Sequence, residues 1–555
     1  MTYVIKIIDN QMYLCDPTDI YNPIKQFNQP HLFDGDIVTP ILTDITKYEL
    51  ISSPISNSVL VGYFSTSQQV KFGKTSSGST IYQVSTFNPV LPHFLISYGG
   101  KLKGKLLITF AFKEWVNALP KGEIIQVLGL MDDSNLITSL QYISGIYRKE
   151  IKNKLTKNTY EDRINRKEIL DYVFSIDPVG CVDIDDAISY VESADEYTIR
   201  IHIAQPIYWL NEECMIARAK CAFSTLYQQP HKTNSNLWGD EITKQSSLLA
   251  GVKRPSYTME FIVDKKTNKI IWFGHYPSYI TNSCATNYDD CCQNSIINNF
   301  YSITKCISAN EKMDTHELVS YWMIMANNYL GESDQIKSLS IPYRVTNITD
   351  NKIKIFNDIQ DDQDGLVSMA FYNMTMDSAV YAIRSENNYH SGLNKNNYIH
   401  FTSPIRRMID TLIHWCLTYN INFVDLISRS NLDLNCINNL DKKTKKFHQQ
   451  INLLGKIDML FATDSDKQIA DSTKPIKING WIYNKTGNRW TIYFKELGFI
   501  RVKMWDFKFN YLVDNLVKEK INEKKIGEKM SFFVNKTPGF MPKEKILIVS
   551  SLNLL

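Results

Sequence analysis

Four carboxylates crowd into the stretch from Asp177 to Asp186, inside sequence that otherwise reads as apolar strand: Tyr172-Val-Phe-Ser-Ile-Asp177-Pro-Val-Gly-Cys-Val-Asp183-Ile-Asp185-Asp186-Ala-Ile-Ser-Tyr190. An acidic surface run sits among polar residues, whereas these acids sit among Val173, Ile176, Val182, Ile184, Ala187 and Ile188. Packing like charges into such surroundings costs repulsion and desolvation unless cations compensate. The Pro178-Val179-Gly180 turn folds the segment back on itself and brings the acids together. Oxygen donors without His or Cys suit magnesium, or manganese, better than zinc. Two such ions would polarise a phosphodiester, activate a water and stabilise a leaving 3′ oxygen. The alternatives are a plain acidic turn or a calcium loop, but the spacing lacks the alternating ligands, glycine and distal Glu of an EF-hand.

At 555 residues the chain exceeds one ordinary core, and three or four domains are expected. A net charge of +3 does not announce a polyanion ligand, so any nucleic-acid site must concentrate its positive charge locally. The 10 cysteines show no CxxC spacing. Cys284, Cys291 and Cys292 with His275 could be a metal cluster, but buried free thiols in a reducing compartment are the simpler reading. The start alternates like a strand and lacks a signal layout. No uncharged apolar run reaches the ~18 residues a membrane span needs. An intracellular, cytoplasmic monomer is expected.

Short strands broken by turns fill residues 1–150: Met1–Leu14, a turn and strand over 31–38, then Val59–Phe64, Ile81–Val84, Phe94–Tyr98 and Lys105–Phe110. Pro120-Lys121-Gly122-Glu123 reads as a turn before Ile124–Leu128. Such a pattern fits two small β-barrels. The polar, charged 151–167 marks a boundary. Mixed strands and helices follow, with strands over 172–205 and helices expected at 314–331, 364–384, 403–418 and 445–461. Strands return at Ile476–Trp481, Trp490–Phe494, Phe499–Met504, Ser531–Val534 and Ile546–Val549. The expected domains are 1–58 and 59–150 (barrels), 151–470 (α+β) and 471–555 (a third barrel).

Tyr398-Ile-His400-Phe-Thr-Ser403-Pro404-Ile-Arg406-Arg407-Met-Ile-Asp410-Thr-Leu-Ile-His414 carries the second signal. Ser403 suits an N-cap and Pro404 a first turn, with Ile405, Ile409, Leu412 and Cys416 as a buried stripe. Arg406 and Arg407 would then stand against the helix dipole, a placement that calls for an anion such as phosphate. The alternative is an ion pair from either arginine to Asp410.

The spacing Ile-Asp177-(five residues)-Asp183-Ile-Asp185-Asp186-Ala resembles the signature of the ribonuclease II/R (RNB) family. Thr198-Ile-Arg-Ile-His202-Ile-Ala204 resembles that family's Val-His-Ile-Ala strand, although Gln205 stands where an Asp is usual; His202 is read as structural. His400-Phe-Thr-Ser-Pro-Ile-Arg406-Arg407 resembles the family's arginine motif nearly residue for residue. The resemblance implies metal binding by Asp177, Asp183, Asp185 and Asp186, with Asp185 and Asp183 nearest to catalysis and Arg406 on the RNA backbone at the cleavage site. Looser likeness puts Tyr227, Arg254 and Tyr288 on the RNA, each aromatic being as readable as core, while Arg407 reads equally as a phosphate ligand or as the partner of Asp410. One departure concerns Ser320, Tyr321 and Trp322, where acids are usual; Glu317 lies a helical turn upstream.

The flanking barrels resemble two N-terminal cold-shock-type OB-folds and a C-terminal S1-type OB-fold, which bind single strands on aromatics above a basic groove. Lys71, Lys74, Lys101, Lys103 and Lys105 could supply that charge or be a solvated face. Trp481, Tyr483, Trp490 and Phe494 would serve the C-terminal module. Together the resemblance implies a processive 3′-to-5′ exoribonuclease on single-stranded RNA, releasing nucleoside 5′-monophosphates with Mg2+ (or Mn2+). The alternative is an inactive RNA-binding regulator that keeps the fold.

Overall fold

A computed structural model describes the chain except for residues 1, 9–10, 57, 69–71, 89, 148–156, 229, 347–358, 360, 376–377, 384–387, 463–475, 487–488, 504–524, 538 and 551–555. Lys71, Met504 and the expected boundaries near 150 and 470 lie outside the described residues. Two compact units form, Met1–Tyr147 with Pro538–Lys545, and Arg148–Thr537 with Ile546–Leu555.

In the first unit, Tyr3–Ile8, Gln11–Asp16, Asp19–Phe27, Ile37–Ile41 and Asp44–Ser52 make a five-stranded sheet in the order third, second, first, fourth, fifth. Leu60–Ser65, Thr80–Thr86, Phe94–Tyr98, Lys105–Val116 and Leu119–Leu130 repeat that order and close into a barrel. Closure comes from a parallel pairing of Lys121 with Leu95 and Gly122 with Ile96. The Pro120–Glu123 turn expected from the sequence is a strand instead. The chain reverses at Asn117, whose φ is +53°, and asparagine tolerates that left-handed backbone. Gly122 serves packing: a Cβ there would meet Phe110 at 2.7 Å.

In the second unit the central sheet has six strands: β1 (Val173–Asp177), β2 (Asp186–Glu192), β3 (Glu196–Ala204), β4 (Lys253–Asp264) and β5 (Lys269–Asn287), with the short strand Lys167–Glu168 paired parallel to β5 at Ser278 and Tyr279. Neighbours in sequence pair antiparallel from β1 to β5, and β5 also pairs parallel with β1, so the ring closes through the long last strand. The β1–β2 pair is the short one, holding only Val173 to Ser189 and Phe174 to Ile188. Helix α1 (Thr315–Glu332) lays Trp322, Ala326 and Leu330 into the same core as Ile199, Ile201 and Phe261. Helix α2 (Met408–Tyr419) is buried on almost every side. Helix α3 (Leu434–Leu460) starts well before the expected 445, because Asp433 caps it by accepting from the Cys436 amide at 2.6 Å. The helix expected over 364–384 ends at Thr375, and Val380–Ala382 pairs as a strand with Tyr343–Val345.

Ile476–Thr486, Arg489–Phe494, Gly498–Lys503, Lys529–Lys536 and Ile546–Ser550 again take the order third, second, first, fourth, fifth. Their core of Ile482, Phe494 and Val534 packs on Leu453 and Ile457 of α3. The architecture is an α+β domain with all-β five-stranded modules before and after it in the chain.

Candidate active site

β1 ends on Asp177 and β2 begins on Asp186, so the two strands part where the acids lie. Gly180, at φ +78°, lets the loop turn, and the Cys181 amide donates back to the Pro178 carbonyl at 3.0 Å. The loop is pinned on its far side: the Ile184 amide donates to Ser247 Oγ at 3.0 Å, and the Leu248 amide to the Ile184 carbonyl at 3.1 Å.

Asp185 is 3 % exposed. Its Oδ1 accepts from the Ile405 amide at 2.8 Å and its Oδ2 from Arg406 Nε at 3.1 Å. Burial pushes this carboxyl well above the usual range, against the pull of the Arg406 charge and the Ile405 amide. Arg406 also donates from Nη2 to Ser403 Oγ at 2.9 Å. Its side chain is nonetheless 42 % exposed, which leaves guanidinium N–H groups for a further anion.

The arginines do not stand in a helix. The Arg406 carbonyl accepts from the Thr225 amide at 3.0 Å and the Met408 amide donates to the Phe223 carbonyl at 2.7 Å, so this backbone pairs with the 223–225 segment. Arg407 itself is extended and α2 begins at Met408. The expected Ser403 N-cap and Pro404 first turn are therefore corrected, and the dipole argument for an anion falls with them. Asp410 accepts from the Ser403 amide at 2.9 Å and holds Arg407 Nη1 at 3.4 Å. Arg407 is thus the structural ion pair, and Arg406 is the arginine brought to the acids.

Asp183 accepts from the Tyr227 hydroxyl at 3.3 Å and from Cys181 Sγ at 3.6 Å. Asp177 and Asp186 are half-buried and interact electrostatically with each other. Burial, with the Asp183 charge adding, pushes Asp177 up to about 6. Burial, then the Asp177 charge, pushes Asp186 up to about 7. Asp177 Oδ2 is buried and has no hydrogen-bond partner among the described residues. An orphaned oxygen beside a second like charge fits a cation, and these two acids would hold one. No three His, Cys, Asp or Glu side chains converge at metal-binding spacing among the described residues.

Tyr288 follows directly on Asn287, the last residue of β5, whose ladder partner is Asp177. Burial, then the charges of Asp186 and Asp177, pushes its hydroxyl up to about 12. Arg254 donates to the Ser247 and Lys244 carbonyls at 3.1 and 3.3 Å; it braces the loop that pins Ile184 and is not placed among the acids. His202 lies inside the sheet between Ser189 and Thr258, at 3.0 and 2.8 Å. Gln205 Nε2 donates to Thr418 Oγ1 at 2.9 Å and to His414 Nδ1 at 3.3 Å, while His414 Nε2 donates to the Phe401 carbonyl at 2.9 Å. A carboxylate there could not donate to Nδ1, so Gln205 suits a neutral His414. Sequence reasoning missed His448, whose Nε2 accepts from the Tyr227 amide at 3.2 Å across 221 residues, and His316, whose ring lies 3.7 Å from that of Tyr288. No local spacing marks either one.

The family model described as "RNB domain" matches residues 166–299 and 293–422. Residues 166–422 thus carry an RNB domain. Ribonuclease R of Mycoplasma genitalium is 22 % identical to the chain over 404 residues, 57 % of this chain and 55 % of that protein. Ribonuclease R of Ureaplasma parvum is 26 % identical over 198 residues, 32 % and 25 % of the two chains. The chain thus aligns with about half the length, or less, of these curated relatives. Among solved structures, Mycoplasma genitalium RNase R in complex with ribose-methylated single-stranded RNA superposes with a TM-score of 0.74 at 18 % identity, covering 99 % of this chain and 100 % of that one. Yeast Ssd1, described as a pseudonuclease, superposes with a TM-score of 0.68 at 12 % identity, covering 99 % and 96 %. At such identities these likenesses establish the shared fold. The RNB match includes both the acidic loop and the Arg406 segment. No helix among the described residues is long and apolar enough to cross a membrane.

Proposed function

We propose that this chain is a metal-dependent 3′-to-5′ exoribonuclease that degrades single-stranded RNA to nucleoside 5′-monophosphates. The observation that carries the reading is the pairing of Asp185 with Arg406 across 221 residues, which sets a half-exposed guanidinium on one acid and within electrostatic reach of Asp177 and Asp186. A guanidinium so placed would bind the scissile phosphate and gain strength as negative charge develops there. Asp177 and Asp186 would hold magnesium or manganese, which supplies an activated water and neutralises the phosphate when bound. Tyr227, tied to Asp183, and Tyr288, beside Asp177 and Asp186, would hold the RNA 3′ end. The two N-terminal modules (1–58 and 59–150) and the C-terminal module (471–555) would gather single strands for the 151–470 domain, the chain acting as a monomer. The relatives' names and the RNA in a relative's solved complex support this assignment.

A second reading has its own support. Asp185 is occupied by Ile405 and Arg406, Glu317 is committed to capping α1, and Ssd1, with the same fold, is called a pseudonuclease. On that reading the chain binds RNA without cutting it. Single-stranded RNA labelled at its 5′ or 3′ end, incubated with and without divalent metal, separates the two. Immediate release of 3′-labelled mononucleotide only with metal is the expected result; binding without any release would favour the regulator.

A further inference from the structure

We propose that His316 is a positioning residue for the RNA 3′ end, acting through the ring of Tyr288. The inference rests on reading the site as one that handles RNA, and it assigns a task to a side chain outside the acidic and arginine motifs.

The backbone around Tyr288 is fixed, because Asn287 Oδ1 accepts from the Asp289 and Asp290 amides at 2.9 Å each. The ring is not fixed by its hydroxyl, which has no hydrogen-bond partner among the described residues. What holds the ring is a face-to-face stack with His316, 3.7 Å between centroids and 19° between planes. His316 in turn rides on a stiff support. It lies in the first turn of α1, where Asp314 accepts from the Glu317 amide at 2.8 Å and Glu317 Oε2 accepts from the Asp314 amide at 3.1 Å. Leu318 and Trp322 then anchor the helix in the core. Tyr288 is within electrostatic reach of Asp186, Asp177 and Arg406, so the stack sets where its unpartnered hydroxyl stands relative to the acids. A site works best when its contacting groups are locked by a rigid second set. Ser320, one helical turn along the same face of α1, has no charge to do this electrostatically. The stack does it by shape.

An aromatic pair of this kind contributes enough to change a rate or an affinity about five- to tenfold. The full-length chain would be compared with His316→Ala and His316→Phe in two measurements: single-turnover cleavage of 5′-labelled RNA with magnesium, and binding of a short RNA oligonucleotide with the metal chelated. We expect His316→Ala to lower the cleavage rate and weaken oligonucleotide binding, each about five- to tenfold. His316→Phe, which keeps the stack without the imidazole nitrogens, should restore both. In a Tyr288→Ala background, His316→Ala should add nothing further. Unchanged rate and affinity in His316→Ala, or His316→Phe as impaired as His316→Ala, would overturn the inference. A wild-type chain no faster than Asp185→Asn would instead overturn the hydrolytic reading, and the binding series would still decide the role of His316.

Discussion

With one carboxylate oxygen on the Ile405 amide and the other on Arg406, Asp185 couples the acidic loop to the arginine segment through a single side chain. Asp185→Asn keeps the shape and removes the charge, so hydrolysis should fall about a thousandfold while RNA affinity, spread over many contacts, stays nearly intact. Binding and single-turnover rates on one preparation check this, and a mutant that still turns over would move the active site elsewhere. Arg406→Ala should slow cleavage about a hundredfold. It also leaves a buried carboxylate uncompensated, so its melting temperature should drop as well. Arg406→Lys separates the two effects, since it restores the charge but not the guanidinium fork. The acids themselves were legible because charge embedded in apolar strand sequence is costly and therefore meaningful. Their pairing was not: nothing local says that Asp185 reaches Arg406 rather than a cation, or that Arg407 rather than Arg406 takes Asp410.

At the scale of elements, the strands and most helices were readable from their periods, and the errors came where distant backbone intervened. The helix cannot start before Met408 because Phe223 and Thr225 already pair with the Arg406–Met408 backbone, a pairing invisible in the local pattern. Likewise Pro120 and Gly122 look like a turn until the fit of Gly122 against Phe110 is known. Two buried histidines make a testable statement about the sheet and α2. Burial pushes His202 and His414 down to about 3, from an ordinary 6.5. The unfolded chain therefore takes up protons that the folded chain refuses. Their stabilisation is complete above about pH 6.5 and is lost as the pH falls towards 3, at about 1.4 kcal/mol per pH unit for each. Chemical denaturation between pH 7 and 5 should show this loss, and His202→Gln should remove its share of the slope while the His414 share stays. A second element-scale prediction concerns Gly331 in α1, where a Cβ would meet the Asn397 carbonyl oxygen at 1.9 Å. Gly331→Ala should cost about 1–3 kcal/mol, since a backbone atom has to yield; an unchanged unfolding midpoint would contradict that packing.

For the whole molecule, exonucleolytic action from a free 3′ end predicts that a circular RNA survives while its linear form is degraded, and that chelating the metal stops degradation entirely. Cleavage of the circle by pure protein would mean an open, endonucleolytic site even if the same aspartates prove catalytic. Three modules share one strand order, yet among the described residues only the second closes, and that order was not readable from strand count alone. The Asp185–Arg406 link has a consequence for the making of the protein. Synthesis at about 5–20 residues per second puts roughly ten to forty seconds between the appearance of one partner and the other. Throughout that interval a nascent chain carries its four acids without the arginine whose Nε donates to Asp185. On the proposed function, hydrolysis by a nascent chain would therefore lag the appearance of its acids until the Arg406 segment has emerged and folded against them.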